Sequence, residues 1–230
     1  MPATIKPVET RRLYQHIADQ IRALLLNGNY PVGYRLPPER DLALQLGVSR
    51  PSLREALIAL EIAGSVEIRM GSGVYVCSTH GRAPKPTAAF GESPSELMQA
   101  RAAIEGAVVL MACAQATPEK LAQLSVHLEA MRQDVSQGKA PLENDRAFHL
   151  CLAAMSGNSV MFRLVTELFD ERHSPISAQL SGHFESSATW QIAIAEHESI
   201  CQAITDRNPL AAELAMRSHL KASEVRWVGN

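Results

Sequence analysis

Between Ser78 and Pro94 the chain runs STHGRAPKPTAAFGESP, with three prolines, two glycines and almost no large apolar residue. Such a segment supports neither a continuous helix or strand nor a core of its own. It therefore splits the chain into a small domain over residues 1–77, a linker over 78–94 and a larger domain over 95–230. The length of 230 residues fits one large or two small domains. A hydrophobic content of 46% supplies enough apolar side chains for real cores and argues against global disorder. No internal repeat is visible.

The net charge of −2 hides a small asymmetry. Residues 1–80 carry 9 Lys and Arg against 7 Asp and Glu, whereas the remainder carries 13 against 17. Bulk charge thus excludes a polycation but does not decide the partner. Cys77, Cys113, Cys151 and Cys201 stand far apart with no CxxC spacing. This argues against a zinc ribbon or a disulfide framework and for reduced, mostly buried thiols. No run of about 18 apolar residues suggests a membrane-crossing helix, and MPATIKPVETRR lacks the apolar core of a signal peptide. A cytoplasmic chain without a membrane partner is expected.

In the small domain, Leu13, Ile17, Ile21, Leu24 and Leu25 recur at helical spacing and predict a helix over Leu13–Leu26. A short helix over Pro38–Leu46 follows, with Pro38 at its first position and Gly47 ending it. Ser49 caps a third helix over Arg50–Ala63, which Gly64 ends. Val66–Arg69 and Val74–Cys77 alternate in the manner of strands around Gly71-Ser72-Gly73, which predicts a hairpin. Two helices joined by a tight turn and followed by a two-stranded wing make a winged helix-turn-helix. In that arrangement the second helix of the pair enters the major groove of double-stranded DNA by its N-terminal end. Arg50 and Arg54 are four residues apart, roughly 40° around the helix, so both can face the groove. Each guanidinium can donate two parallel hydrogen bonds to a guanine, while Leu53, Ala56, Leu57 and Leu60 face the core. Ser49, Ser52 and Arg40 suit phosphate contacts, and the backbone at the wing tip can approach DNA closely. The bland alternative is that these arginines form surface ion pairs, Arg50 with Glu55 or Arg54 with Glu61.

The stretch GYRLPPERDLALQLGVSRPSLREALIALEIAGSVEIRMGSGVYV carries the pieces LPxER, DLA, LGVSR, LREAL and GSGVYV in order. It resembles the DNA-binding domain of the GntR superfamily of bacterial transcription regulators, FadR branch. The resemblance implies operator contacts from Arg40, Arg50, Arg54 and Gly71. Two positions depart from the family pattern: Pro38 stands where a capping serine is usual, and Ser65 where leucine is usual.

After the linker every segment reads helical, with starts near Pro94, Pro118, Pro141, Ser159, Pro175, Ser186 and Pro209. The expected fold is mainly α: the winged helix-turn-helix plus a C-terminal all-α bundle of six or seven helices. Asp145 and His149 are four apart on one helix and can both reach one ion. His197 shares a face with Trp190, Ala193, Cys201 and Ile204, and His219 lies among Ala212, Ala215 and Ala222. Each histidine alone is more often a satisfied core residue than a ligand. Burying three imidazoles and a carboxylate together is costly, and one divalent cation would satisfy all four. Zinc, nickel and manganese all suit such a set. His127, His173 and His183 have no such context.

The motifs DRAFH, SGN, EHESICQAI and AMRSHL extend the resemblance to the FCD ligand-binding domain of the same branch. In its metal-binding members the positions matching Asp145, His149, His197 and His219 hold the ion, and many bind small carboxylates such as organic or sugar acids beside it. Arg101, in the segment ELMQARAAIE, matches a pocket arginine of the family and suits an effector's carboxylate. The alternative for Arg101 is an internal pair with Glu105. The expected protein is thus a ligand-responsive, homodimeric transcription regulator. A sensor of the ion itself and a metal-dependent hydrolase are the rival readings, the latter without a well-placed general base.

Overall fold

The computed structural model describes residues 12–79 and 90–228. They fall into two compact units, Met1–Ser93 and Pro94–Asn230.

The first unit holds α1 (Leu13–Leu26), α2 (Glu39–Leu46), α3 (Arg50–Ile62), β1 (Val66–Arg69) and β2 (Gly73–Val76). Helix α1 packs on α3 through a buried stripe of Tyr14, Ile17, Ala18, Ile21 and Leu25. Leu13, expected on that stripe, is 55% exposed. It precedes Tyr14 by one residue, about 100° around the helix, and Tyr14 takes the inward position. Gly47 closes α2 at φ +68°, the left-handed conformation that glycine adopts without strain. Ser49 caps α3 by accepting a hydrogen bond from the Ser52 amide. Pro38 occupies the N-cap of α2 rather than its first turn and offers no side-chain cap.

The strands pair antiparallel, Val66 opposite Val76 and Arg69 opposite Gly73. The β2 strand begins and ends one residue earlier than its alternation suggested. A bridge from Arg35 to Tyr75 adds a short third edge to this wing. Ser65 is buried at 1% exposure, and its hydroxyl has no hydrogen-bond partner. Most of the expected linker, residues 80–89, lies outside the described residues. Its end does not behave as a free tether: Phe90 is buried, Gly91 accepts a hydrogen bond from the Tyr14 hydroxyl, and Ser93 donates to buried Glu55.

The second unit is all helical in its described residues: α4 (Pro94–Ala114), α5 (Pro118–Ser136), α6 (Leu142–Met155), α7 (Ser159–Asp170), α8 (Pro175–Phe184), α9 (Ser187–Thr205) and α10 (Pro209–Val228). A 3-10 turn, Glu171–His173, joins α7 to α8. Side-chain caps from Thr117, Asn158 and Ser186 start three of these helices, each worth about 1 kcal/mol. The core lies between α4, α5, α6, α9 and α10, around residues such as Val109, Phe148, Leu152, Ile200 and Met216.

Helix α4 has no unbroken run of about 18 apolar residues, yet by length and mean composition it is able to cross a membrane. Half of its apolar window is buried inside the bundle, and it buries Arg101 and Glu105 at its middle. It is a core helix.

Candidate nucleic-acid interface and metal centre

On the first unit, Arg40 on α2 and Arg50 at the start of α3 are exposed. Arg54, one turn further, is held down: its side chain is 12% exposed and donates to Glu39 through Nε (3.1 Å) and a terminal nitrogen (2.5 Å). The carboxylates considered as partners in the sequence have other engagements. Glu55 accepts from Ser93, and Glu61 accepts from the Ile68 amide at 2.8 Å. Ser49 and Ser52 link their hydroxyls at 2.8 Å across the first turn of α3. Gly71 lies exposed at the wing tip with φ +71°.

Sequence reasoning missed what stiffens this wing. The Arg69 guanidinium stacks 4.4 Å over the Tyr75 ring, whose hydroxyl meets Ser72 at 2.9 Å. The Arg35 side chain lies across Gly73, where a Cβ would stand 2.6 Å from its Nε. Arg35 and Arg69 add positive charge beside the tip.

In the second unit three helices bring Asp145 and His149 (α6), His197 (α9) and His219 (α10) together. One ligating atom from each lies within 4.8 Å of all the others, and all four residues are buried. His197 Nε2 is 3.0 Å from Asp145 Oδ1 and 3.3 Å from His149 Nε2, and His149 Nε2 is 3.6 Å from the same Oδ1. Each histidine uses its other nitrogen elsewhere. His149 Nδ1 contacts Glu105, His197 Nδ1 meets the Ala193 carbonyl at 2.7 Å, and His219 Nδ1 meets Glu196 at 2.8 Å. With an acceptor behind each Nδ1, a neutral imidazole at these places carries its proton there and keeps the Nε2 lone pair for a ligand.

Lone pairs and a carboxylate oxygen at such distances repel one another unless a positive charge lies among them. The donor set therefore fits a divalent cation. Metal–nitrogen bonds of about 2.0–2.1 Å place ligands on opposite sides of an ion roughly 4 Å apart, within the span of this cluster.

Without an ion, the groups of the cluster compensate one another's charge. Burial would raise the Glu105 carboxyl, but Arg101 and His149 hold it ionised, with a pKa of about 2. Burial likewise opposes ionisation of Asp145, and hydrogen bonds with His149 and His197 together with the Arg172 charge hold it well below the usual range. His219 is pushed down to about 3 by burial and by the neighbouring His197, against the pull of Glu196, so it is neutral. Burial also acts to lower His149, but Glu105 and Asp145 win and raise it.

Of the two readings considered for Arg101, the pair with Glu105 is present. Arg101 is 1% exposed and donates through Nε to Glu105 at 2.7 Å. Its guanidinium stacks on Phe169 at 4.5 Å, yet its Nη2 is buried without a partner. It lines a cavity beside Asp145 and His219, together with Arg172, Trp190, Arg226 and Trp227.

Several residues here were not singled out from sequence. Arg172 bridges Asp145 Oδ2 (2.8 Å) and Glu185 (2.9 Å) and lies over the Trp227 ring. Glu196 accepts from both arms of Arg226 as well as meeting His219. Glu105 was legible only as a partner of Arg101. Arg172 sits in a 3-10 turn, where no helical period marks its direction. His127, His173 and His183 stand outside the cluster, and His173 is exposed.

Residues 13–76 match the family described as bacterial regulatory proteins, gntR family, and residues 96–222 match the FCD domain. The chain is 34% identical over 218 residues to the Uxu operon transcriptional regulator of Escherichia coli (strain K12), covering 92% of this chain and 85% of that protein. It is 35% identical over 224 residues to the Exu regulon transcriptional regulator of the same strain, covering 94% and 85%. A solved structure of Streptococcus agalactiae GntR superposes with a TM-score of 0.50 at 28% identity, covering 92% of this chain and 98% of that one.

Proposed function

The chain belongs to the gntR family of bacterial transcriptional regulators and carries an FCD domain, and from that premise we propose how each unit works. It is a regulator and not an enzyme, as its relatives are. The first unit reads a pseudo-palindromic operator as part of a homodimer, because two-fold dimers present two recognition helices to two half-sites. Arg50 and Arg54 reach base edges, Arg40, Ser49 and Ser52 meet phosphates, and the wing carries Gly71 against the backbone. Such a protein works where the chromosome is, in the cytoplasm.

The second unit holds zinc, nickel or manganese on Asp145, His149, His197 and His219. When bound, the ion supplies positive charge among the four ligands and a place for an acid's oxygen. Glu105, Ala193 and Glu196 keep the three imidazoles in the tautomer that turns Nε2 inward. Arg172 holds the outer oxygen of Asp145, which leaves the inner one free. Beside them, Arg101 binds the carboxylate of a small organic or sugar acid, and Trp190 and Trp227 offer apolar faces to its carbon skeleton. Effector and operator then alter each other's affinity by one common factor, typically worth about 1–3 kcal/mol.

The observation that carries this reading is the buried guanidinium of Arg101, with one nitrogen unpartnered, in the cavity beside the ligand cluster. A thermal-shift screen of organic and sugar acids on metal-loaded and metal-free protein tests it. At least one acid should raise the melting temperature of the loaded protein and change operator binding in a gel shift. A response to ions with none to any acid would instead make the cation the signal.

A further inference from the structure

Glu105 lies one turn beyond Arg101 on α4, and its two oxygens serve different parts of the site. Oε1 accepts from Arg101 Nε at 2.7 Å, and Oε2 contacts His149 Nδ1. All three side chains are at most 2% exposed. Phe169 makes a second link between the same partners, 4.5 Å from the Arg101 guanidinium and 5.6 Å from the His149 ring. Both contacts are direct, and among the described residues the carboxylate's charge is divided between these two donors.

We propose that Glu105 is a positioning residue that ties anion binding at Arg101 to cation binding at His149, so that filling either place strengthens the other. The proposal rests on the reading that the cluster holds a cation and Arg101 an acid. An anion on Arg101 Nη2 offsets part of the guanidinium charge. More of the Glu105 charge then falls on the His149 Nδ1–H, and a more strongly bonded Nδ1–H makes Nε2 a better electron donor. In the other direction, a cation at Nε2 polarises Nδ1–H toward Glu105. That draws carboxylate charge away from Arg101 and leaves its guanidinium freer for an anion. The two effects are one coupling and must be equal in size. An amide cannot replace the carboxylate here. Glutamine has one acceptor oxygen where glutamate has two, so Glu105→Gln leaves either Arg101 or His149 without an acceptor.

The test uses the full chain and zinc alone, with affinities from competition against a chelator and melting of the metal-free protein as the folding control. Glu105→Gln should weaken zinc binding about tenfold to a hundredfold. Nitrogen-15 spectra of labelled histidine should show that His149 loses its Nδ1–H tautomer, a change that loosened packing alone would not produce. Arg101→Gln touches none of the four ligands. It should tighten zinc severalfold, and this gain should vanish when Glu105 is also glutamine. Equal zinc affinity in wild type and Glu105→Gln, or an Arg101→Gln gain that persists without Glu105, overturns the proposal. If Glu105→Gln does not fold, Arg101→Gln alone decides: unchanged or weaker zinc binding overturns it. A wild-type chain that binds no zinc, nickel or manganese overturns the cation reading itself, which distinguishes that failure from this one.

Discussion

The two candidate sites are built on opposite plans. The candidate nucleic-acid face is a surface: Arg40 and Arg50 are exposed, Arg54 leans on Glu39, and Gly71 stands at an open turn. The candidate metal centre is an interior: its four residues are buried, and each of its carboxylate and imidazole groups is held by a named partner behind it. The difference follows from what each must bind. A phosphate backbone is large, polyanionic and met from outside, so flexible cations in water suffice. A small cation inside a helical bundle is held by desolvated groups, and each of these needs compensation for the water it has lost. A change at the face should therefore alter binding and leave the fold alone, whereas a change at the centre should alter both.

The comparison can be broken most directly at the centre. His197→Ala removes a primary ligand where even outer partners are worth about ten- to a hundredfold in affinity. Zinc binding should fall by at least about a hundredfold, and zinc should no longer raise the melting temperature. Equal metal content by elemental analysis would refute the site.

At the face, Arg54→Ala should weaken operator binding by about tenfold to a hundredfold, the value of one bidentate base contact, with an unchanged melting temperature. An unaltered gel shift would remove the recognition-helix assignment. A melting temperature that drops sharply would show instead that the Arg54–Glu39 pair is structural.

Acidity sharpens the contrast, because two histidines of the interior cluster are shifted, in opposite directions. His219 is lowered to about 3 from an ordinary 6.5. The unfolded chain therefore binds the extra proton between those values, and the stability that neutral His219 contributes is lost as pH falls below 6.5. His149 is raised. Its contribution is present below 6.5 and is lost as pH rises through its folded pKa. Metal-free protein should therefore be most stable near pH 6.5, with each proton worth at most about 1.4 kcal/mol per pH unit on either flank. Melting curves from pH 5 to pH 8 would show this, and a monotonic trend would contradict it. Operator-face variants should leave the profile unchanged.

The smallest effect belongs to Ser65, whose buried hydroxyl has no partner. Ser65→Ala removes the group that pays for lost hydration without a bond, and it should stabilise the first unit by about 1 kcal/mol. A denaturant midpoint that falls would show that the hydroxyl is bonded after all.

Much of this was legible in the sequence. The period of α1 gave its bounds at Leu13 and Leu26, and proline or serine at helix starts marked the seven described helices of the second unit to within a residue. Local rules suffice there, because caps and periodicity act within one or two turns. The same rules misplaced Leu13, since a period gives a face but not its edge. They also gave no hint that Gly91 and Ser93 bond to α1 and α3, because partners some 40 to 80 residues apart leave no spacing signal. At the centre, the spacing of Asp145 and His149 and the faces of His197 and His219 selected the four residues that the fold brings together. Arg172, Glu196 and Arg226 escaped notice. Charged residues of these types are usually solvated, and only their neighbours reveal that these three are partly buried.

The sequence by itself determined the secondary structure, the division into a DNA-reading part and a helical part, and which residue types could serve each. Those properties depend on contacts close along the chain or on residue chemistry alone. Only the tertiary structure decided that Arg54 rests on Glu39, that one nitrogen from each of three histidines and one carboxylate oxygen converge, and that Glu105 stands between Arg101 and His149. Each of these depends on the distance between separate helices. That distance is set by how their apolar faces pack, which no single stretch of sequence specifies.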